Sequence, residues 1–198
     1  MVGLVLLAAS GVQDTALLLG ILWGTEVFLL GIALFFTRRQ AGGPWRALGF
    51  HQPVALGGLA LTLVAFGAST GFALLYGLAV AHLGLPLLRP PSVFPFLKGL
   101  PGVERAAVGL LLVGVAPVAE EAFFRGFLVQ GLVPPWSAGS AILASAFLFS
   151  VSHGVVGLLL PTFVAGLLFG LLFLKARSLW APILAHALQN AVVVAFLL

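Results

Sequence analysis

An all-α bundle of membrane-spanning helices is the fold class this chain predicts, and composition, run length and polar placement each point to it. Of the 198 residues, 62% are hydrophobic and only 7% charged. With a mean hydropathy of +1.23, the chain cannot clothe itself in the hydrated surface a soluble domain needs. Weakly charged runs recur along it at about the 20-residue length that a helix rising about 1.5 Å per residue requires to cross hydrocarbon. Between them fall proline-rich or basic connections. The reading is of a multi-pass integral membrane protein, in the cell membrane if prokaryotic, with lipid as its first partner.

The runs are Ala16 to Phe36, Val54 to Ala81, Ala106 to Leu132, Ala138 to Ser152, Gly154 to Leu174 and Ser178 to Leu198. Six spanning helices are expected. The fourth run is short, although Ser137 and His153 extend it, and its Gly and Ser residues point to close helix packing. Residues 1–13 add an apolar piece that extends the first helix or lies at the interface; no Lys or Arg precedes Val2 to Ala9, so the basic start of a secretory signal is missing. The connection from Leu83 to Val103 carries Pro86, Pro90, Pro91, Pro95 and Pro101 and cannot be one regular helix. Its apolar residues place it along the membrane surface as a connector. No internal repeat or linker divides the chain, so residues 1–198 are read as one domain.

A net charge of +4 would invite a nucleic-acid reading in a soluble protein. Here the Lys and Arg residues other than Arg125 cluster at helix ends, where positive-inside sorting and anionic headgroups account for them. The absence of cysteine excludes disulfides, thiolate metal sites and a cysteine nucleophile.

Against this apolar background, Glu120 and Glu121 stand out. Glu120 is the fifteenth of the 27 residues from Ala106 to Leu132, which is mid-span. A carboxylate there costs several kcal/mol, on the order of the insertion scales, unless it has partners, water or a function. Glu121 and Arg125 are four apart, which sets them on one helix face with the acid N-terminal to the base, as an intrahelical ion pair prefers. Glu120 points about 100° away and is left to face an interior cavity. Pro117 should bend the helix and free the carbonyl of Val113.

Phe149 and His153 share a helix face four residues apart, so the ring can restrict the imidazole. His186 and Asn190 repeat that spacing. An antiparallel hairpin brings Glu120 and His153 to similar depth, while His186 is ninth of 21 in the last run and also interior. One carboxylate, two imidazoles and a carboxamide in a wet membrane cavity make a hydrolytic centre: a proton acceptor for water and donors for the developing oxyanion. Taken singly, each group also has a bland reading as packing or interhelical glue. Glu26, eleventh of 21 in the first run, is read as a structural contact, and His51 and His82 as solvated.

Together, Glu120-Glu121-Ala-Phe-Phe-Arg125, Phe149-Ser-Val-Ser-His153 and His186-Ala-Leu-Gln-Asn190 resemble EExxxR, FxxxH and HxxxN, the ordered signatures of the CPBP family of intramembrane CAAX-processing and bacteriocin-processing proteases, the Rce1-like enzymes among them. The resemblance covers residues 105–190 as a protease core. Trp45-Arg-Ala-Leu-Gly-Phe50 also resembles a family element preceding a membrane helix. The resemblance implies an intramembrane endopeptidase. In it Glu120 is the catalytic base, His153 its water-activating partner and His186 with Asn190 the oxyanion pair. Glu121, Arg125 and Phe149 give structural support. The substrate would be a membrane-associated peptide or protein, prenylated or not.

The family has been described both as glutamate-type and as metalloendopeptidase. The sequence favours the first, without a cofactor, because zinc peptidases commonly place two His at i and i+4 in HExxH, whereas His153 and His186 lie on separate helices. The metal alternative is zinc on Glu120, His153 and His186. Two other readings stand beside the protease: a non-catalytic scaffold or bacteriocin-immunity factor of the same fold, and a proton-coupled transporter, since mid-membrane Glu and His also build proton relays.

Overall fold

A computed structural model describes residues 15–90 and 100–195. Every regular element among them is helical. In chain order these are α1 (Thr15–Thr37), a short α2 (Pro44–Ala47), α3 (Leu56–His82), a 3-10 turn (Pro86–Leu88), α4 (Gly102–Leu132), α5 (Ala138–Ser152), α6 (Val156–Ala176) and α7 (Trp180–Ala195). The expectations for residues 1–13 and for the middle of the Leu83–Val103 connection fall outside the described residues. Where that connection is described, Tyr76 donates its hydroxyl to the Leu88 carbonyl at 2.9 Å, pinning the chain to α3.

Among the described residues, four helices are long and apolar enough to cross a membrane: Leu19–Thr37, Leu56–His82, Gly102–Leu132 and Val156–Ala176. The other two of the six expected runs form the shorter apolar helices α5 and α7, described over 15 and 16 residues. At about 1.5 Å per residue they reach roughly 22–24 Å, short of a hydrocarbon core about 30 Å thick. Both are nonetheless apolar helices of the bundle.

Burial assigns the layers. Over its most apolar 18-residue stretch α4 is 56% buried, against 17% for α1 and 22% for α3, so α4 is the central helix. Its neighbours are α1 on one side and α5 and α7 on the others. Outward-facing Val27, Phe28, Leu63, Val64 and Leu75 are all exposed, the surface a lipid-facing ring presents.

The tightest pairing is α5 on α6. A Cβ at Gly166 would stand 2.9 Å from both Cα and Cβ of Ala146, and one at Gly170 2.9 Å from Ile142. Glycines four apart let the two backbones approach, the small-residue packing that substitutes for hydrophobic drive inside lipid. Close packing expected from α5's own Gly and Ser residues is thus completed by α6.

The Trp45–Phe50 segment clamps the turn between α6 and α7. Gly49, at φ 97°, adopts a conformation that suits glycine. Its carbonyl accepts from the Leu179 amide at 3.3 Å. Trp180 donates its indole N–H to the Phe50 carbonyl at 3.0 Å. The element therefore fixes where α7 starts, and so the height of His186.

Candidate active site

Helix α4 is irregular around its two glutamates. A regular turn, Ala116–Glu121, lies between two π-helical stretches, Leu111–Val115 and Ala122–Val129. Such bulges shift the register of everything that follows and are frequent at functional sites. In the first stretch the Ala116 amide donates to the Leu111 carbonyl, five residues back. The next bond in that register would run from residue 117 to the carbonyl of Leu112, and Pro117 has no N–H to give. Asn190, reaching across from α7, donates to that same Leu112 carbonyl at 2.8 Å. The bend at Pro117 thus frees Leu112's carbonyl where α-helical counting indicated Val113.

Glu121 and Arg125 form the predicted pair at 2.7 Å, and both side chains are fully buried. Arg125 also donates to the Gly166 carbonyl at 3.3 Å, which the glycine's close approach to α5 leaves exposed to it. Its guanidinium carbon lies 4.6 Å from the Phe149 ring centroid, a favourable cation–π placement. The same Glu121 oxygen, Oε1, accepts from His186 Nδ1 at 2.9 Å. One carboxylate oxygen therefore ties α7 to the ion pair of α4, a role that spacing along one helix could not reveal.

His186 points its other nitrogen, Nε2, at Glu120, with Oε2 3.8 Å away. Two carboxylates thus bracket one imidazole. His153 sits just past the end of α5, where its Nδ1 donates to the Phe149 carbonyl at 2.7 Å. That bond selects the tautomer and leaves the Nε2 lone pair available. The Phe149 ring lies edge-on to the His153 ring at 4.8 Å, the predicted restriction. Glu120 interacts electrostatically with both histidines.

A pocket of about 40 Å³ lies among Phe149, His153, Phe169, His186, Gln189 and Asn190. A water needs roughly 10–15 Å³ measured this way, so the pocket has room for a few. Three of the four predicted reactive groups line it. Glu120, the fourth, lies beside the pocket, its Oε2 3.8 Å from His186 Nε2. Sequence reasoning missed Gln189, although its position three residues after His186 puts it near the same helix face, and missed Phe169, which packs against His186 at 5.7 Å. Glu26 is buried on α1 and feels the charge of Glu120; its Oε2 makes no hydrogen bond among the described residues. His51 and His82 are exposed, as expected.

No three His, Asp or Glu side chains among the described residues are arranged to hold a metal ion.

The family model described as Type II CAAX prenyl endopeptidase Rce1-like matches residues 102–192, which run from the start of α4 into α7 and contain all three signatures. This segment is similar to the Rce1-like family. A curated relative, "Putative membrane peptidase YdiL" of Bacillus subtilis (strain 168), is 31% identical over 80 residues. Those residues are 40% of this chain and 33% of the relative, so the chain spans about a third of that protein's length. No solved structure matches. The Rce1-like segment holds every side chain of the constellation just described except Glu26.

Proposed function

We propose that the protein is a membrane-embedded endopeptidase that hydrolyses a peptide bond in membrane-associated peptides or proteins. One observation carries this reading: His153 from the end of α5 and His186 with Asn190 from α7 converge on one small pocket, with His186 bracketed by Glu120 and Glu121. The Rce1-like match and the peptidase relative support it.

Water bound in the pocket is activated by His153 Nε2 and Glu120. As the water oxygen bonds to the substrate carbonyl carbon, its proton passes to Glu120 and the carbonyl oxygen becomes an oxyanion. With both ring nitrogens protonated, His186 keeps Nδ1–H on Glu121 and offers Nε2–H to that oxyanion. The second N–H of Asn190 joins it, the first being engaged at Leu112. When the C–N bond breaks, Glu120 returns the proton to the departing amine. Glu121 and Arg125 hold His186 in place and Phe149 holds His153. The chemistry is glutamate-type and derives no step from a metal.

The test is cleavage of a peptide library by purified protein in detergent, comparing wild type with Glu120→Gln and His186→Ala, with and without a chelator. Both substitutions are expected to lower kcat by at least about a hundredfold, with the chelator without effect. Cleavage that survives both substitutions sinks the assignment. Activity lost to the chelator and restored by zinc overturns the metal-free mechanism.

A further inference from the structure

Gln189 belongs to two cavities at once. It lines the small catalytic pocket, and with Thr162 it also lines an apolar cavity of about 260 Å³ formed between α3, α6 and α7 by residues that include Ala73, Leu74, Leu158 and Val193. Leu74 at its rim is 62% exposed on the lipid-facing side of α3. Thr162 and Gln189 are therefore the polar threshold between a chamber open toward lipid and the histidines.

The amide of Gln189 is held in place from α3. Ser69 Oγ lies 3.1 Å from Gln189 Oε1 and 3.1 Å from the Phe66 carbonyl, and Ser69 is buried. A hydroxyl has one proton to give. If that proton goes to Gln189, both amide N–H groups remain; if it goes to Phe66 and the amide is turned, Ser69 takes one N–H and the other remains. Either way at least one donor is left at the threshold. Thr162 donates its own hydroxyl backward to Leu158 at 2.7 Å and so offers only acceptors. Asn190 has already committed one N–H to Leu112.

We propose that Gln189 is a substrate-binding residue that donates to a backbone carbonyl of the bound peptide, while the apolar cavity beside it receives the peptide's apolar side chain next to the scissile bond. This rests on the peptidase reading above and adds its specificity. The two cavities share Thr162 and Gln189, and that shared wall commits the occupant: a peptide whose reacting carbonyl lies near His186 projects its neighbouring side chain past Gln189 into the apolar chamber. Ser69 acts through Gln189 and is a positioning residue. Peptides with Leu or Phe at that position are preferred to those with Ala or Gly.

The experiment uses the full chain in nanodiscs with quenched-fluorescence peptides bearing Ala, Leu or Phe beside the cleaved bond. Gln189→Met keeps the volume and removes the donor; it is expected to lower kcat/KM about 3- to 10-fold, the scale of one hydrogen bond, at unchanged melting temperature. Ser69→Ala is expected to give a smaller loss, carried in KM. Ala73→Trp fills the chamber and is expected to cut cleavage of Leu and Phe peptides at least about tenfold relative to the Ala peptide. In a Glu120→Gln background, adding Gln189→Met is expected to weaken binding of the uncleaved Leu peptide.

Glu120-dependent cleavage that is indifferent to Gln189→Met, with Ala73→Trp slowing every peptide alike, overturns this inference and leaves the peptidase reading standing; a lipid chain resident in the chamber would give that second result. Should Gln189→Met fail to fold, the size selectivity of Ala73→Trp decides alone. No Glu120-dependent cleavage and no peptide binding by any variant overturns both.

Discussion

Replacing Arg125 by Met is the sharpest test of the buried network. The side chain is fully buried, holds Glu121 at 2.7 Å and reaches the Gly166 carbonyl at 3.3 Å. Met fills much of its volume but leaves Glu121 as a carboxylate whose Oε2 already lacks a hydrogen bond among the described residues. Removing one partner of a buried pair typically costs about 3–5 kcal/mol, because the remaining charge is stranded. For a chain of this size that corresponds to a fall in Tm of about 6–20 °C. Adding Glu121→Gln removes the stranded charge, so the double variant should recover a substantial part of the loss. Its coupling energy, measured as a double-mutant cycle by thermal unfolding in detergent, should fall in the range of about 0.5–3 kcal/mol that contacting residues show. A single-variant shift below about 2 °C, or strict additivity in the cycle, would refute the claim that these groups form one desolvated unit. Activity should fall in both variants, since His186 Nδ1 rests on the same Glu121 oxygen.

Two further predictions follow from the bundle. Asn190→Leu strands the Leu112 carbonyl and should cost about 1–3 kcal/mol, and Pro117→Ala in the same chain should return part of it by supplying a backbone N–H at the position where the π register needs one; an additive double variant in thermal unfolding would contradict that. Gly166→Leu drives a side chain into Ala146, whose Cα and Cβ leave 2.9 Å, and should prevent close α5–α6 packing. It would appear as loss of folded protein in size-exclusion chromatography, and a monodisperse, wild-type-like peak would contradict it.

What the sequence revealed was local. The Glu121–Arg125 pair and the edge-on Phe149–His153 contact are both i, i+4 relations along one helical segment, and both form at the expected spacing. Helical runs were readable for the same reason. Features set by packing between segments were not. The two π stretches of α4 leave no mark in hydropathy, so the carbonyl released by Pro117 came out one residue away from where α-helical geometry placed it. Asn190's attachment to that carbonyl, His186's bond to Glu121 and Ser69's hold on Gln189 all join residues more than 60 positions apart. The six apolar runs return as the four longer apolar helices and the two shorter ones, α5 and α7.

That early stop has a physical consequence for the bilayer. A 15-residue rod cannot bridge two headgroup planes, so lipids flanking α5 must thin or tilt inward to meet it. A locally thinned membrane would shorten the path of water to the pocket at the end of α5, and a thicker bilayer should slow the proposed hydrolysis.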